Sequence, residues 1–135
     1  MEPLHLTATE SSPSVVLDPG QGIFEIKGES RPEDVRKFYE PILEWLDQYK
    51  SYMYWLKDNN PDAAAKTYAF TFSFEYFNST SAKYILDMLT KLDAIKNDGF
   101  KIEIKWEYDQ VDEDMKEAGE EYARLISVPF QFKAL

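Results

Sequence analysis

Hydrophobic positions along this chain change period several times, and each change marks an element. Ser14-Val15-Val16-Leu17 is a short apolar run, Asp18-Pro19-Gly20-Gln21-Gly22 is rich in turn formers, and Ile23-Phe24-Glu25-Ile26-Lys27 alternates weakly. Together they predict a two-stranded hairpin. From Thr67 to Phe74, the aromatics Tyr68, Phe70, Phe72 and Phe74 share one face, and Ala69, Thr71 and Ser73 take the other. Small residues on the second face predict close helix packing there, as in a strand covered on both sides. Lys101 to Tyr108 alternates cleanly, with Ile102, Ile104, Trp106 and Tyr108 opposite Lys101, Glu103, Lys105 and Glu107. That is a strand with one solvated face. Val128 to Phe132 predicts a last short edge strand.

Three stretches carry helical spacing. The first begins after Gly28, where Ser30-Arg31-Pro32-Glu33 has the spacing of a capping box and Pro32 would fall in the first turn. Its buried stripe is Val35, Phe38, Tyr39, Ile42, Leu46, Tyr49 and Met53, and it fades near Lys57. The second runs from about Ser79 to Asn97, with Ala82, Ile85, Leu86, Leu89, Leu92 and Ile95 on one face and Asn97-Asp98-Gly99 as its stop. The third has Val111, Met115, Ala118, Tyr122 and Leu125 as its stripe, and Asp112, Glu113 and Asp114 in its first turn. The order β-β-α-β-α-β-α-β predicts one α/β domain, with three helices on a mixed, mostly parallel sheet of about four to five strands. Residues 1–12 read as a flexible lead-in and 13–135 as the single domain.

Composition narrows the chemistry. The chain has 135 residues, 44% of them hydrophobic, and a formal charge of -10. So acidic a surface repels phosphate backbones and anionic headgroups, which excludes nucleic acid as a partner and membrane insertion as a habit. There are no cysteines, and the one histidine, His5, lies in the lead-in. Thiolate catalysis, a serine–histidine nucleophile and His- or Cys-held metals are therefore unsupported. No apolar run approaches the roughly 20 residues that span a bilayer, and no basic–apolar leader opens the chain, so a cytoplasmic protein is expected. The carboxylates Asp109, Asp112, Glu113, Asp114, Glu117, Glu120 and Glu121 lack the turn of a cation-binding loop and read as a solvated helix face. No glycine loop for a nucleotide is present. No cofactor, metal or catalytic residue is assigned.

The segment with most chemical content is Glu75-Tyr76-Phe77-Asn78-Ser79-Thr80-Ser81-Ala82-Lys83, where a central strand meets a helix. Functional groups of open α/β sheets gather at that end of the strands. One reading is a helix cap, which needs only one of these hydroxyl or amide side chains. The other is a phosphoacceptor, because a phosphate there would rest on free amides and the positive end of the helix. A third feature is the aromatic excess at Tyr52, Tyr54 and Trp55, part core and part candidate for protein contact. A small-ligand pocket lined by Tyr76, Trp106 and Tyr108 is the rival from another class.

Gly28-Glu29-Ser30-Arg31-Pro32-Glu33-Asp34, Tyr76-Phe77-Asn78-Ser79-Thr80-Ser81-Ala82-Lys83, and Trp106-Glu107-Tyr108-Asp109 with Asp112-Glu113-Asp114-Met115 resemble the signatures of the SiaC family of regulatory phosphoproteins. The resemblance covers nearly the whole chain. It implies a fold similar to the STAS domains of anti-sigma-factor antagonists and a partner-switching role in bacterial signalling. It implies phosphorylation in the strand-to-helix turn by a kinase of the histidine-kinase-like ATPase type, and dephosphorylation by a PP2C-type phosphatase. The unphosphorylated form would bind and activate a diguanylate cyclase, promoting cyclic-di-GMP synthesis and biofilm formation. In one member of the family the acceptor is a Thr directly after the Asn. Ser79 holds that position here, with Thr80 and Ser81 as alternatives, and Tyr76, Asn78, Thr80 and Lys83 shape the turn and its interface.

Overall fold

The computed structural model describes residues 1–135, apart from the side chain of Ala64. The elements are β1 (Leu4–Leu6), β2 (Ser14–Asp18), β3 (Ile23–Ser30), α1 (Val35–Asn59), α2 (Pro61–Ala64), β4 (Thr67–Phe77), α3 (Ser79–Asn97), β5 (Lys101–Tyr108), α4 (Glu113–Leu125) and β6 (Phe130–Ala134). The strands form one six-stranded sheet in sequence order, β1 through β6. β1–β2 and β2–β3 pair antiparallel, and β3–β4, β4–β5 and β5–β6 pair parallel. This is the mixed, mostly parallel α/β domain that the periodicity predicts.

Strand order dictates the layering. Each parallel strand is added beside its predecessor in the same direction, and crossovers of one hand then place every connecting helix on the same face. One core results. Phe70, Phe72 and Phe74 of β4 and Ile102, Ile104 and Trp106 of β5 pack beneath Tyr39, Ile42, Leu46 and Tyr49 of α1, Ile85, Leu89 and Leu92 of α3, and Met115 and Tyr122 of α4.

The second face of β4 is therefore not covered by helices, contrary to expectation. Across the sheet Thr71 lies level with Glu25 and Lys105, and Ser73 with Lys27 and Glu107. Thr71 and Ser73 are half-buried. Their cross-strand neighbours are long charged side chains, whose aliphatic stems can shield short ones beside them, so the centre of an open face reads as covered in sequence.

Four other expectations are corrected. The lead-in contributes β1: Leu4 and Leu6 pack against the core, and the Trp45 indole donates to the Glu2 carbonyl at 2.9 Å. Three residues are too few for a period to show. Ser30 ends β3 instead of capping α1; the cap is Asp34, whose carboxylate accepts from the Lys37 amide at 3.0 Å. Pro32 disfavours helical backbone at Arg31, so the chain stays extended and helix formation is delayed. A fourth, one-turn helix, α2, follows Asn60, with Pro61 in its first turn. Val111 and Leu125, placed on the buried stripe of α4, are 82% and 64% exposed. Val111 precedes the Asp112 cap and Leu125 is the last helical residue, so neither reaches the sheet.

The α4 stripe instead uses Gly119, and Trp106 is the reason. Trp106 is fully buried, and its indole donates to the Met115 carbonyl at 2.9 Å. A Cβ on Gly119 would stand 2.5 Å from Trp106 Cδ1 and Nε1. Gly119→Ala should gain about 1 kcal/mol of helix propensity. The overlap should reverse that sign and leave a net loss of about 1–2 kcal/mol, read from the urea midpoint. A net gain would show that α4 is free to lift from the sheet.

Candidate functional site

The turn after β4 is built by an irregularity in the sheet. Gly28 pairs with Phe74 and Glu29 with Tyr76, leaving Glu75 as an extra residue on β4. Gly28, opposite this bulge, has φ +119°, a conformation that side-chain-bearing residues rarely adopt. A bulge reverses the facing of every residue beyond it. Strict alternation would put Tyr76 inside with Phe74, but Tyr76 is 49% exposed. Phe77 turns inward in its place, its ring 5.4 Å from Phe74 and 6.3 Å from Tyr122.

Asn78 then caps α3. Its side-chain oxygen accepts from the Ser81 amide and from the Thr80 hydroxyl, both at 3.0 Å. Its own amide donates to the Ser30 carbonyl at 3.1 Å, tying the turn to the end of β3. The cap reading of this segment is thus correct for Asn78. It accounts for Thr80 as well.

The two serines face opposite environments. Ser81 is fully buried; its hydroxyl donates to the Ser30 carbonyl at 3.0 Å and accepts from the Ser30 hydroxyl at 3.0 Å. The Tyr39 phenol completes the chain with a hydrogen bond to the Ser30 hydroxyl. Burial pushes the Tyr39 pKa up, against the opposing pull of its Ser30 and Ser81 partners. Tyr39 also stacks on Tyr84 of α3, ring centres 5.3 Å apart. Ser79 is exposed, and among the described residues its hydroxyl has no protein hydrogen bond. Lys83, one turn further along α3, is also exposed, and its ammonium lies 5.7 Å from the centre of the Tyr84 ring.

The pocket of Tyr76, Trp106 and Tyr108 does not form. Trp106 is sealed beneath α4 and Tyr76 points to solvent. Tyr108 instead borders an open cavity of about 700 Å³ with Glu75, Asp109, Asp112 and Leu135. Sequence reading missed Ser30 and Tyr39 as supports of the turn. Ser30 lies 51 positions from Ser81, and nothing local to Ser30 signals that bond. Of the aromatic group on α1, Trp55 is 58% exposed and Tyr54 40%.

The family model for SiaC family regulatory phosphoproteins matches residues 6–135. The chain belongs to this family. An uncharacterized protein of Pseudomonas aeruginosa strain UCBPP-PA14 is 25% identical over 134 residues, covering 99% of this chain and 98% of that one. The crystal structure of apo-SiaC from Pseudomonas aeruginosa matches with a TM-score of 0.82 at 23% identity, over 99% of this chain and 100% of that chain. A TM-score of 0.83 at 23% identity is found for a chain in the crystal structure of the diguanylate cyclase SiaD in complex with its activator SiaC, over 98% of this chain and 99% of that one. At this identity the likeness speaks for the fold. The SiaC fold is what this chain adopts.

Removing the two serine hydroxyls should separate support from surface. Ser81→Ala leaves buried Ser30 without its acceptor and should cost about 1–3 kcal/mol. Ser79→Ala, which breaks no protein contact, should stay within about 0.5 kcal/mol of the unmodified chain. Equal losses in chemical denaturation would contradict this division.

Proposed function

We propose that this SiaC family member is a phosphorylation-controlled, non-enzymatic partner switch of the cytoplasm, with Ser79 as its acceptor. The observation that carries the reading is the contrast within the turn. Ser79 alone offers an exposed, uncommitted hydroxyl, while Thr80 is held by Asn78 and Ser81 is buried. This geometry favours Ser79 over both neighbours. It also supports a modification that leaves the fold intact. The Ser79 and Thr80 amides point from the first turn of α3 with no protein acceptor among the described residues. A phosphate of about -1.5 to -2 charge would be stabilised by these amides and the helix dipole. Lys83, four residues along the helix, lies within reach of it.

The unphosphorylated protein docks on and activates a diguanylate cyclase, raising cyclic-di-GMP output and so biofilm formation. A kinase of the histidine-kinase-like ATPase type adds the phosphate and a PP2C-type phosphatase removes it. SiaC of Pseudomonas aeruginosa, which forms a complex with the diguanylate cyclase SiaD as its activator, has the same fold as this chain. Tyr76, exposed beside the turn by the bulge, is the aromatic anchor of the docking face. A phosphate at Ser79 would have to be stripped of water on docking, which weakens that contact.

A pull-down against the diguanylate cyclases of the source organism tests this directly. Ser79→Ala should bind constitutively, and Ser79→Asp should bind at least about tenfold more weakly, the cost of burying one poorly paired charged group. Equal binding by both variants would make the turn a cap and the protein a constitutive adaptor. Phosphopeptide mass spectrometry that finds only Thr80 or Ser81 modified would sink the Ser79 assignment.

A further inference from the structure

At the far end of the sheet from the hydroxyl turn lies a second concavity, of about 520 Å³, that the proposed switch does not use. It opens between the β2–β3 turn, the C-terminal half of α1 and the start of β4. Its volume is within the usual range for a small-molecule site. Its inner wall is aromatic. The Phe24 and Tyr49 rings are 5.5 Å apart, Tyr49 and Tyr52 are 6.5 Å apart, and Tyr68 lines the same space.

Two polar groups at this cavity lack partners. The Tyr49 hydroxyl is buried, in a residue only 1% exposed, and has no hydrogen bond. Such a group is costly to leave unmade, and most buried hydroxyls are satisfied. The neighbouring Tyr68 hydroxyl donates to the Ala63 carbonyl at 2.9 Å. Burial, reinforced by Tyr68 and Tyr52, pushes the Tyr49 pKa far up, so its hydroxyl stays protonated and serves as a donor. The second group is Lys66. It is the only charged residue lining the cavity, it is exposed, and it makes no ion pair among the described residues.

We propose that this cavity binds a small aromatic monocarboxylate, with its ring against half-buried Tyr52 and Tyr68, its carboxylate toward Lys66, and a second acceptor atom on the Tyr49 hydroxyl. Flat aromatic walls select a planar ligand. A lone cation on a chain of net charge -10 pairs with one negative charge and leaves any further charge facing repulsion. The Tyr49 oxygen is enclosed, so reaching it requires half-buried Tyr52 to turn aside as the ligand enters.

The test is a calorimetric titration of the full chain with 4-hydroxybenzoate, paired with amide chemical-shift mapping. Saturable binding is expected, with shifts concentrated at Gly20, Gly22 and Lys66 to Ala69. Tyr49→Phe should weaken binding by about threefold to tenfold, the worth of one hydrogen bond. Its thermal midpoint should hold or rise, because it deletes an unsatisfied group and keeps the ring. Lys66→Gln, at a surface position that tests the site even if Tyr49→Phe folds poorly, should weaken 4-hydroxybenzoate and leave neutral 4-hydroxybenzamide unaffected. No saturation at about 10 mM, well past the weakest useful affinities, would overturn the proposal. Unchanged affinity in both variants would overturn it equally.

Discussion

Every helix of this protein is confined to one face of the sheet, and most of what the molecule can do follows from that constraint. Strands β3 to β6 are laid down in order, so crossovers of a single hand stack α1, α3 and α4 over the same aromatic layer. The same geometry brings the N-termini of these three helices to the edge where the parallel strands end. Each is capped by a side-chain oxygen accepting from the third helical amide: Asp34 from Lys37, Asn78 from Ser81 and Asp112 from Met115, all at 3.0 Å. Positive dipole ends are thereby concentrated along one rim of an otherwise acidic protein.

Within that rim, two local devices aim the hydroxyl turn. The Glu75 bulge reverses facing at the end of β4, turning Tyr76 out and Phe77 in. The Ser30–Tyr39–Ser81 chain then fixes the first turn of α3 to β3 and α1 through buried hydroxyls. A buried polar chain of this kind is favourable only when every member is satisfied, so it specifies one arrangement of the turn. The tie between Asn78 and the Ser30 carbonyl closes the same loop through the backbone.

How far these features were legible depends on the range over which each signal acts. The β5 strand from Lys101 to Tyr108 and the α3 helix from Ser79 to Asn97 match the periodicity end to end, because their inward faces are unbroken. β1 escaped notice because three residues carry no period, and its stability comes from pairing with β2. Ser30 was misread because a Ser-x-x-Glu spacing is the same whether the serine begins a helix or ends a strand. Only Pro32, through its effect on Arg31, separates the two. At the candidate site, a cap at Asn78 or Ser79 is a local signal read directly from sequence, and the structure places it at Asn78. The facing of Tyr76 is not, because a bulge is set by the pairing of β4 with Gly28 of another strand. The burial of Ser81 is likewise a long-range fact.

The three caps differ in one respect that bears on the proposed switch. Asp34 and Asp112 bring a carboxylate to their helices, whereas α3 has the neutral Asn78. Asn and Asp are nearly equal as caps, so α3 keeps its hydrogen bond. What it forgoes is the charge–dipole stabilisation of an anion at its N-terminus, about 0.3–1 kcal/mol. That positive end stays unneutralised beside the one exposed, unbonded hydroxyl of the turn. A phosphate on Ser79 would supply the missing charge from outside, while the Asn78 oxygen remains occupied by Ser81 and Thr80. The turn is thus fully folded before any modification arrives. Phosphorylation there would have little structure left to make or break, and its free energy would be expressed at the surface, where a partner would have to bury the new charge or leave.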